Sequence, residues 1–314
     1  MMEEQQKVDR AIAKMRSLHD SDLGVLAVVE CGDRAIPALR GIVLEREPSG
    51  LYQVRCGAVQ ALAALGAYDV LIEYLETERA IVDPVERIGE DAVVNAAALV
   101  LAGMRDSRVF ELLIRLAQRP ALTGVIGALG AFESIEALPA LIGALEEDAS
   151  RATAETALRK LGGSARAALL HTVNERLPSD ERESESSTRR RRSALILLAK
   201  MNKPPMAWRD VRHLMLDRDA KVSAIACEIG LAQAAESERP AVIRRFIELL
   251  GADDWMLREE IETCLRAHPN GTRETIAEYL SAIPQPQTTV ATTIRTDAIL
   301  RRIVASTSST PPLA

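Results

Sequence analysis

Aromatic residues are scarce in this 314-residue chain, which has three Phe, two Trp and four Tyr. Its hydrophobic content is nevertheless 47%, so the apolar side chains are mainly Leu, Ala, Val and Ile. Such side chains form close-packed interiors, and Ala in particular lets neighbouring helices approach closely. We therefore expect a large core built from small and aliphatic residues.

Motifs of common catalytic and metal chemistry are also missing. The four His form no HxxxH or HExxH spacing, the four Cys form no CxxC pair, and neither a Gly-rich phosphate loop nor a GxSxG turn occurs. We expect no metal, no cofactor and reduced, buried thiols. These absences favour a protein that is not an enzyme.

Long apolar runs are absent as well, since none approaches the ~20 residues of a membrane span. The first ten residues, MMEEQQKVDR, are polar and acidic, unlike a signal peptide. We therefore expect a cytoplasmic protein that does not enter a membrane.

One pattern recurs through the chain and is clearest over Val54–Glu76. Val54, Ala58 and Leu62 begin an apolar stripe at helical spacing, and a second stripe follows Gly66. Gly66 predicts the end of the first helix, where positive φ is common. The segment therefore predicts a helix, a tight turn and a second helix.

Repeats of this unit align on a position near the start of the first helix, and five of the last six aligned residues are basic. The aligned positions are Ser21, Arg55, Ala92, Arg119, Arg151, Arg191, Lys221 and Arg258. Two short helices cannot bury both stripes alone, so such units stack on one another.

Four fragments carry a family resemblance: GDRAIPAL, VRCGAVQALAALG, IEALPALIGALEED and SRATAETALRKLGG. They resemble bacterial HEAT-like repeats of the kind also found in phycobilin lyases. The resemblance implies an all-α fold, an α-solenoid of about eight helical hairpins. It also implies that the basic residue of each unit pairs with acidic groups in adjoining turns. It says little about function, because one scaffold serves many purposes.

Five segments follow from this reading of the chain. Residues 1–20 contain an N-terminal capping helix, and residues 21–177 hold the first set of repeats. A charged, flexible loop occupies 178–188, and further repeats occupy 189–283. Residues 284–314 form a linker, a possible last helix and a disordered tail.

Charge is unevenly distributed between the two halves. Residues 1–150 hold 24 acidic and 14 basic side chains, whereas residues 151–314 hold 21 acidic and 25 basic ones. The basic half contains a run of four arginines, Arg189, Arg190, Arg191 and Arg192. These cations either contact a phosphate or an acidic partner, or they pair with the acidic run Asp180–Glu185 and with neighbouring turns.

Second helices usually line the concave face of such a stack, so charged residues on them are candidates for partner binding. In the basic half these are Arg212, His213, Arg244 and Arg245. In the acidic half they are Glu73, Glu76 and Glu111. The alternative is that these side chains form an ordinary solvated face.

Two functions remain open. The first is a non-enzymatic scaffold or adaptor that binds a protein partner along the concave face. The second is a nucleic-acid-binding protein, since Trp208 and Trp255, beside Asp210 and Asp254, resemble the residue types of HEAT-like alkylpurine DNA glycosylases. The net charge of −6 argues against nucleic acid. HEAT-repeat metal hydroxylases carry His-Glu pairs, which this chain lacks.

Overall fold

A computed structural model describes residues 2–17, 19–45, 52–77, 81–120, 122–175, 183–201, 207–282 and 291–307. Over these residues the chain is helical and contains no strand, which confirms the prediction of an all-α protein. The chain divides into two compact units, Met1–Ala165 and Arg166–Ala314.

The described residues of the first unit form ten α-helices, joined in places by short 3-10 segments. They are α1 (Met2–Met15), α2 (Ser21–Val29), α3 (Ile36–Glu45), α4 (Tyr52–Ala64), α5 (Tyr68–Glu76), α6 (Pro84–Leu101), α7 (Ser107–Leu116), α8 (Thr123–Phe132), α9 (Leu138–Gly143) and α10 (Asp148–Leu161).

The second unit contains the remaining described helices. They are α11 (Arg166–Asn174), α12 (Glu185–Lys200), α13 (Trp208–Val211), α14 (Ala220–Gln233), α15 (Arg239–Leu249), α16 (Trp255–Ala267), α17 (Thr272–Ala282) and α18 (Ala291–Thr307).

Helices of the first unit pack mainly against their second neighbours along the chain. Helix α2 contacts α4, α4 contacts α6, α6 contacts α8 and α8 contacts α10. Helices α3, α5 and α7 contact one another in the same order. Each helix of this second row also packs on a helix of the first, so the core lies between the two rows.

Small residues set the spacing within the first row. Ala58, Ala61 and Ala97 are fully buried, and Gly124 lies so close to α6 that an added Cβ would stand 2.6 Å from the backbone oxygen of Asn95. Helices this close together leave little room for aromatic side chains between them, which is consistent with the scarcity of aromatic residues.

Three residues after the aligned position, the other repeats have a small or apolar residue, whereas the third repeat has Asn95. The structure explains this exception. Its Oδ1 accepts a hydrogen bond of 2.8 Å from the backbone N–H of Gly124 and a longer one, of 3.4 Å, from that of Val125. These are free donors in the first turn of α8. Asn95 therefore caps α8 from the neighbouring helix α6.

By their position in the repeat, Gly66 and Gly130 are both expected to end a first helix, but only Gly66 does so. Gly66 has a φ of +71° and ends α4 as expected. Gly130, in contrast, lies inside α8, which is followed by Glu133 at a φ of +52°. An added Cβ on Gly130 would stand 2.5 Å from the Cβ of Ala157, so this glycine serves close packing of α8 on α10.

The second unit repeats the packing order of the first. Helix α12 contacts α14, α14 contacts α16 and α16 contacts α18, while α15 contacts α17. Leu195, Leu198 and Ile243 are fully buried between these helices. The repeat pattern predicts a single helix over 207–216, as the second helix of the hairpin that contains the arginine run, but α13 ends at Val211 and a 3-10 segment, Arg212–Leu216, follows.

Candidate functional site

The repeats predicted over 189–283 place the arginine run at the start of a helix, but in the structure the run lies inside α12. Helix α12 begins at Glu185, and the preceding Ser184 accepts a hydrogen bond of 3.1 Å from the N–H of Ser187. A serine cap followed by an acidic first turn is a favoured helix start. The predicted loop over 178–188 is therefore helical from Glu185 onward, and its residues 178–182 lie outside the described residues.

Arg191 is buried and makes ionic contacts on two sides. Only 1% of its side chain is exposed, as is only 1% of Asp217, whose Oδ2 lies 2.5 Å from Nη2 of the arginine. A second pair joins Nη1 to Glu183 at 2.7 Å, and Nε donates to the carbonyl of Val173. Arg191 therefore connects α11, the start of α12 and the turn before α14.

The other three arginines of the run also have partners within the second unit. Arg189 pairs with Glu185, and the largely buried Arg190 contacts Glu175. Arg192 donates from Nε to Asp219 at 2.8 Å, and hydrogen bonding with that carboxylate raises the pKa of the guanidinium. The pairing that the sequence left open is thus present for all four arginines.

The basic residues of the later helices are distributed over different environments. Arg212 lies 3.9 Å from Glu238, and Arg244 lies 3.6 Å from Glu278, both near the surface. His213 hydrogen-bonds to Asn174 at 2.6 Å. Arg245 is more enclosed, since its Nε donates to the carbonyl of Met215 and to Ser223. These four residues are the candidates for partner binding in the basic half, namely Arg212, His213, Arg244 and Arg245.

Two of the three acidic candidates in the first unit take part in ion pairs between second-row helices. Glu73 on α5 pairs with Arg40 on α3, and this contact lowers the pKa of the carboxyl. Glu76 on α5 lies 2.9 Å from Arg108 on α7. Glu111 is exposed on α7. The row α3–α5–α7 therefore presents charges of both signs.

Basic residues at the repeated position also find acidic partners. Arg55 lies 2.7 Å from Glu90 in a largely buried contact, and the hydroxyl of Tyr74 donates to the same carboxylate at 2.8 Å. Lys221 lies 3.3 Å from Asp254. Each of these pairs joins successive hairpins, so the residues have a structural role.

Thiol chemistry is suppressed in the second unit. Burial raises the pKa of Cys227 and that of Cys264 to about 12 in each case. Thiols of such high pKa are almost entirely protonated near neutral pH and are weak nucleophiles. Among the described residues, no three His, Cys, Asp or Glu side chains are grouped so that they could hold a metal ion.

Trp208 and Trp255, the two tryptophans of the nucleic-acid hypothesis, differ in exposure. Trp208 is 8% exposed, and its Nε1 donates to Glu238. Trp255 is 64% exposed at the start of α16. It forms part of the α16–α18 groove, an open depression of about 580 Å³. The groove is lined by Trp255, Arg258, Glu259, Glu262, Arg266 and Arg302.

The arginines of this groove were not identified from the sequence. The available signal was the spacing of Trp255, Arg258, Glu262 and Arg266 on α16, which places them along one helix face. Arg302 lies on α18, and nothing in the sequence connects it with α16.

Comparison with known proteins does not assign the chain to a family. No family model matches the sequence, and no curated protein matches it significantly.

None of the described helices is both long enough and apolar enough to cross a lipid bilayer.

Proposed function

We propose that the protein is a non-enzymatic cytoplasmic adaptor and that its two units are α-solenoids of HEAT-like hairpins. The observation that carries this proposal is the packing of most helices against their second neighbours along the chain. Such stacking produces extended surfaces in which neighbouring repeats contribute equivalent positions. The second row of helices in the first unit, α3–α5–α7, is the proposed binding surface for a protein partner.

Ion pairs along this row support the proposal. The Arg40–Glu73 and Glu76–Arg108 pairs connect successive helices at the surface, so the row presents an ordered set of charges. Ordered charges of both signs favour a partner of complementary pattern more than a uniformly charged polymer. This pattern favours a protein over a nucleic acid at this surface.

Exposed aliphatic residues give further support. Val82, Val85 and Ile88 are all largely exposed around the start of α6, and Tyr52 packs against the adjoining Gly89. Clustered exposed apolar side chains are common at protein-binding surfaces. Val85 and Ile88 lie on α6, in the first row, and offer a partner apolar contact area there.

The nucleic-acid alternative has less support at the arginine run. Arg190 and Arg191 are buried, and all four arginines of the run have acidic partners. Because Arg190 and Arg191 are buried, the run does not present its four charges together to a phosphate.

The proposed function is tested by affinity capture from native lysate with and without nuclease. The wild-type chain is compared with a variant carrying Glu73→Lys, Glu76→Lys and Glu111→Lys. The matched control is Asp22→Lys, which reverses one exposed charge on α2 outside the row. We expect a stoichiometric protein that withstands nuclease, is lost with the triple variant and is retained by the control.

Equal capture by the triple variant would remove the second row as the binding surface. Recovery that depends on intact nucleic acid would contradict the adaptor function itself.

A further inference from the structure

The α16–α18 groove has an excess of positive charge. Three of its lining residues, Arg258, Arg266 and Arg302, are cationic, and two, Glu259 and Glu262, are anionic. Arginine binds phosphate well because its planar guanidinium presents five N–H donors. The groove is therefore electrostatically suited to an anion.

Two of the guanidinium groups are held in place by one carboxylate. Glu262 accepts from Arg266 at 2.6 Å and from Arg302 at 2.7 Å, and only 14% of its side chain is exposed. One carboxylate cannot use ten N–H donors, so donors remain for a ligand. Because the carboxylate fixes both cations in advance, a ligand has less side-chain ordering to impose.

At the other end of the groove lies an exposed indole. Trp255 and Arg258 are three residues apart on α16 and are therefore neighbours on one face. Trp255 and Arg266 are separated by three helical turns, roughly 16 Å along the axis. The groove thus offers an aromatic surface at one end and guanidinium groups along its length.

We propose that the α16–α18 groove binds a short nucleic-acid strand, with Trp255 stacking on one base and with Arg266 and Arg302, farther along the groove, contacting a backbone phosphate of a following nucleotide. Aromatic side chains with adjacent cations are the usual components of sequence-tolerant nucleotide binding. The volume of about 580 Å³ lies within the usual range of ligand sites. This inference goes beyond the adaptor function and does not depend on the arginine run.

Two probes distinguish a free nucleotide from a strand. Adenosine 5′-monophosphate is titrated calorimetrically into the full chain, with inorganic phosphate as a comparison. A fluorescein-labelled oligothymidylate of about ten nucleotides is followed by anisotropy. The expected result is binding of the oligonucleotide at concentrations at which the mononucleotide does not bind, whereas binding of the mononucleotide alone would overturn the proposal.

The first variant removes the stacking surface. Trp255→Ala is expected to weaken binding of the recognised probe by about 5- to 100-fold, the range typical of one stacked base. Trp255 is exposed, so thermal unfolding of this variant should match that of the wild type. Unchanged affinity would overturn the proposal.

A matched pair on α18 tests the phosphate contact. Arg302→Gln should weaken oligonucleotide binding and reduce the slope of log affinity against log salt by about 0.7. Arg301→Gln removes the same charge one residue away, where the side chain pairs with Asp297 instead. It should leave the slope unchanged. An equal reduction in both variants would show diffuse electrostatic attraction and contradict a site.

A substitution at Glu259 should change the binding affinity in the opposite direction. Its carboxylate is exposed on the groove and repels a phosphate. Glu259→Gln should therefore tighten binding of the recognised probe, an effect that loss of folding could not produce. Weaker binding by this variant, or no saturable binding of either probe by the wild type, would overturn the proposal.

Discussion

At the scale of single residues, burial decides what an arginine does in this protein. Arg191 and Arg301 carry the same charge, but one is 1% exposed beside a buried carboxylate and the other is 71% exposed beside Asp297. Removing one partner of a buried pair leaves an uncompensated charge in the interior, whereas an exposed pair contributes little.

Replacing Arg191 with Ala should lower the free energy of unfolding by about 3–5 kcal/mol, because Asp217 would remain buried without its cation. Urea denaturation followed by circular dichroism measures this change. Arg301→Ala is the control and should cost less than about 1 kcal/mol. Equal losses in the two variants would show that the Arg191–Asp217 contact has no special role.

Asp254 makes stability depend on pH. It caps α16 by accepting from the backbone N–H groups of Met256 and Leu257. The hydrogen bond from Leu257 and, secondarily, Lys221 lower the pKa of this carboxyl below its ordinary value. A lowered folded-state pKa stabilises the protein above the unfolded value of about 3.9, and this stabilisation is lost as pH falls through the folded pKa.

We therefore expect Asp254→Ala to cost about 1 kcal/mol at neutral pH, as is usual for loss of a helix cap. The difference from wild type should shrink as the pH is lowered below about 4. Asp254→Asn, which keeps the acceptor without the charge, should retain most of the neutral-pH stability. Urea titrations at several pH values provide the measurement, and a gap that widens in acid would contradict this account.

At the scale of helices, the distance between α6 and α8 depends on the residues at their contact. An added Cβ on Gly124 would overlap the backbone of Asn95, whereas one on Gly127, about one turn later on α8, would meet only methyl groups of Leu99 and Thr153, each at 3.5 Å. The same substitution should therefore have opposite effects at the two glycines.

Gly124→Ala should destabilise the protein by about 1–3 kcal/mol or more, because the new methyl group would force α8 away from α6. Gly127→Ala should be neutral or stabilise by up to about 1 kcal/mol, since Ala is the better helix former and space is available. Thermal unfolding of the two variants measures both changes in stability. Destabilisation by both would indicate that helix flexibility, rather than contact distance, is required.

At the scale of the whole molecule, the chain consists of two compact units, and within each unit helices contact mainly near neighbours. In such repeat arrays stability is approximately a sum of local terms. A destabilising substitution should therefore act mostly within its own unit.

Native-state hydrogen exchange tests this expectation. Gly124→Ala should accelerate amide exchange in α6, α8 and α10, by roughly 30-fold for a loss of about 2 kcal/mol, and leave α14 and α16 at wild-type rates. Arg191→Ala should give the reverse pattern. Uniform acceleration across both units would show that the chain unfolds as one cooperative body.

The sequence by itself determined the local structure of its clearest repeat. The apolar stripe through Val54, Ala58 and Leu62 predicts the helix found at α4, and Gly66 predicts its end, because periodicity and backbone preference act over a few residues. The absence of strands from the described part of the chain followed from the same repeated local pattern.

Only the tertiary structure decided the roles of Gly130, Asn95 and Arg191. Gly130 suggests a helix end in the sequence but meets Ala157, and Asn95 caps a helix that begins 28 residues later, at Thr123. Arg191 suggests a surface charge but faces the buried Asp217. The α16–α18 groove likewise forms only because α18 packs beside α16. These roles depend on contacts between residues far apart in the chain, which local periodicity does not encode.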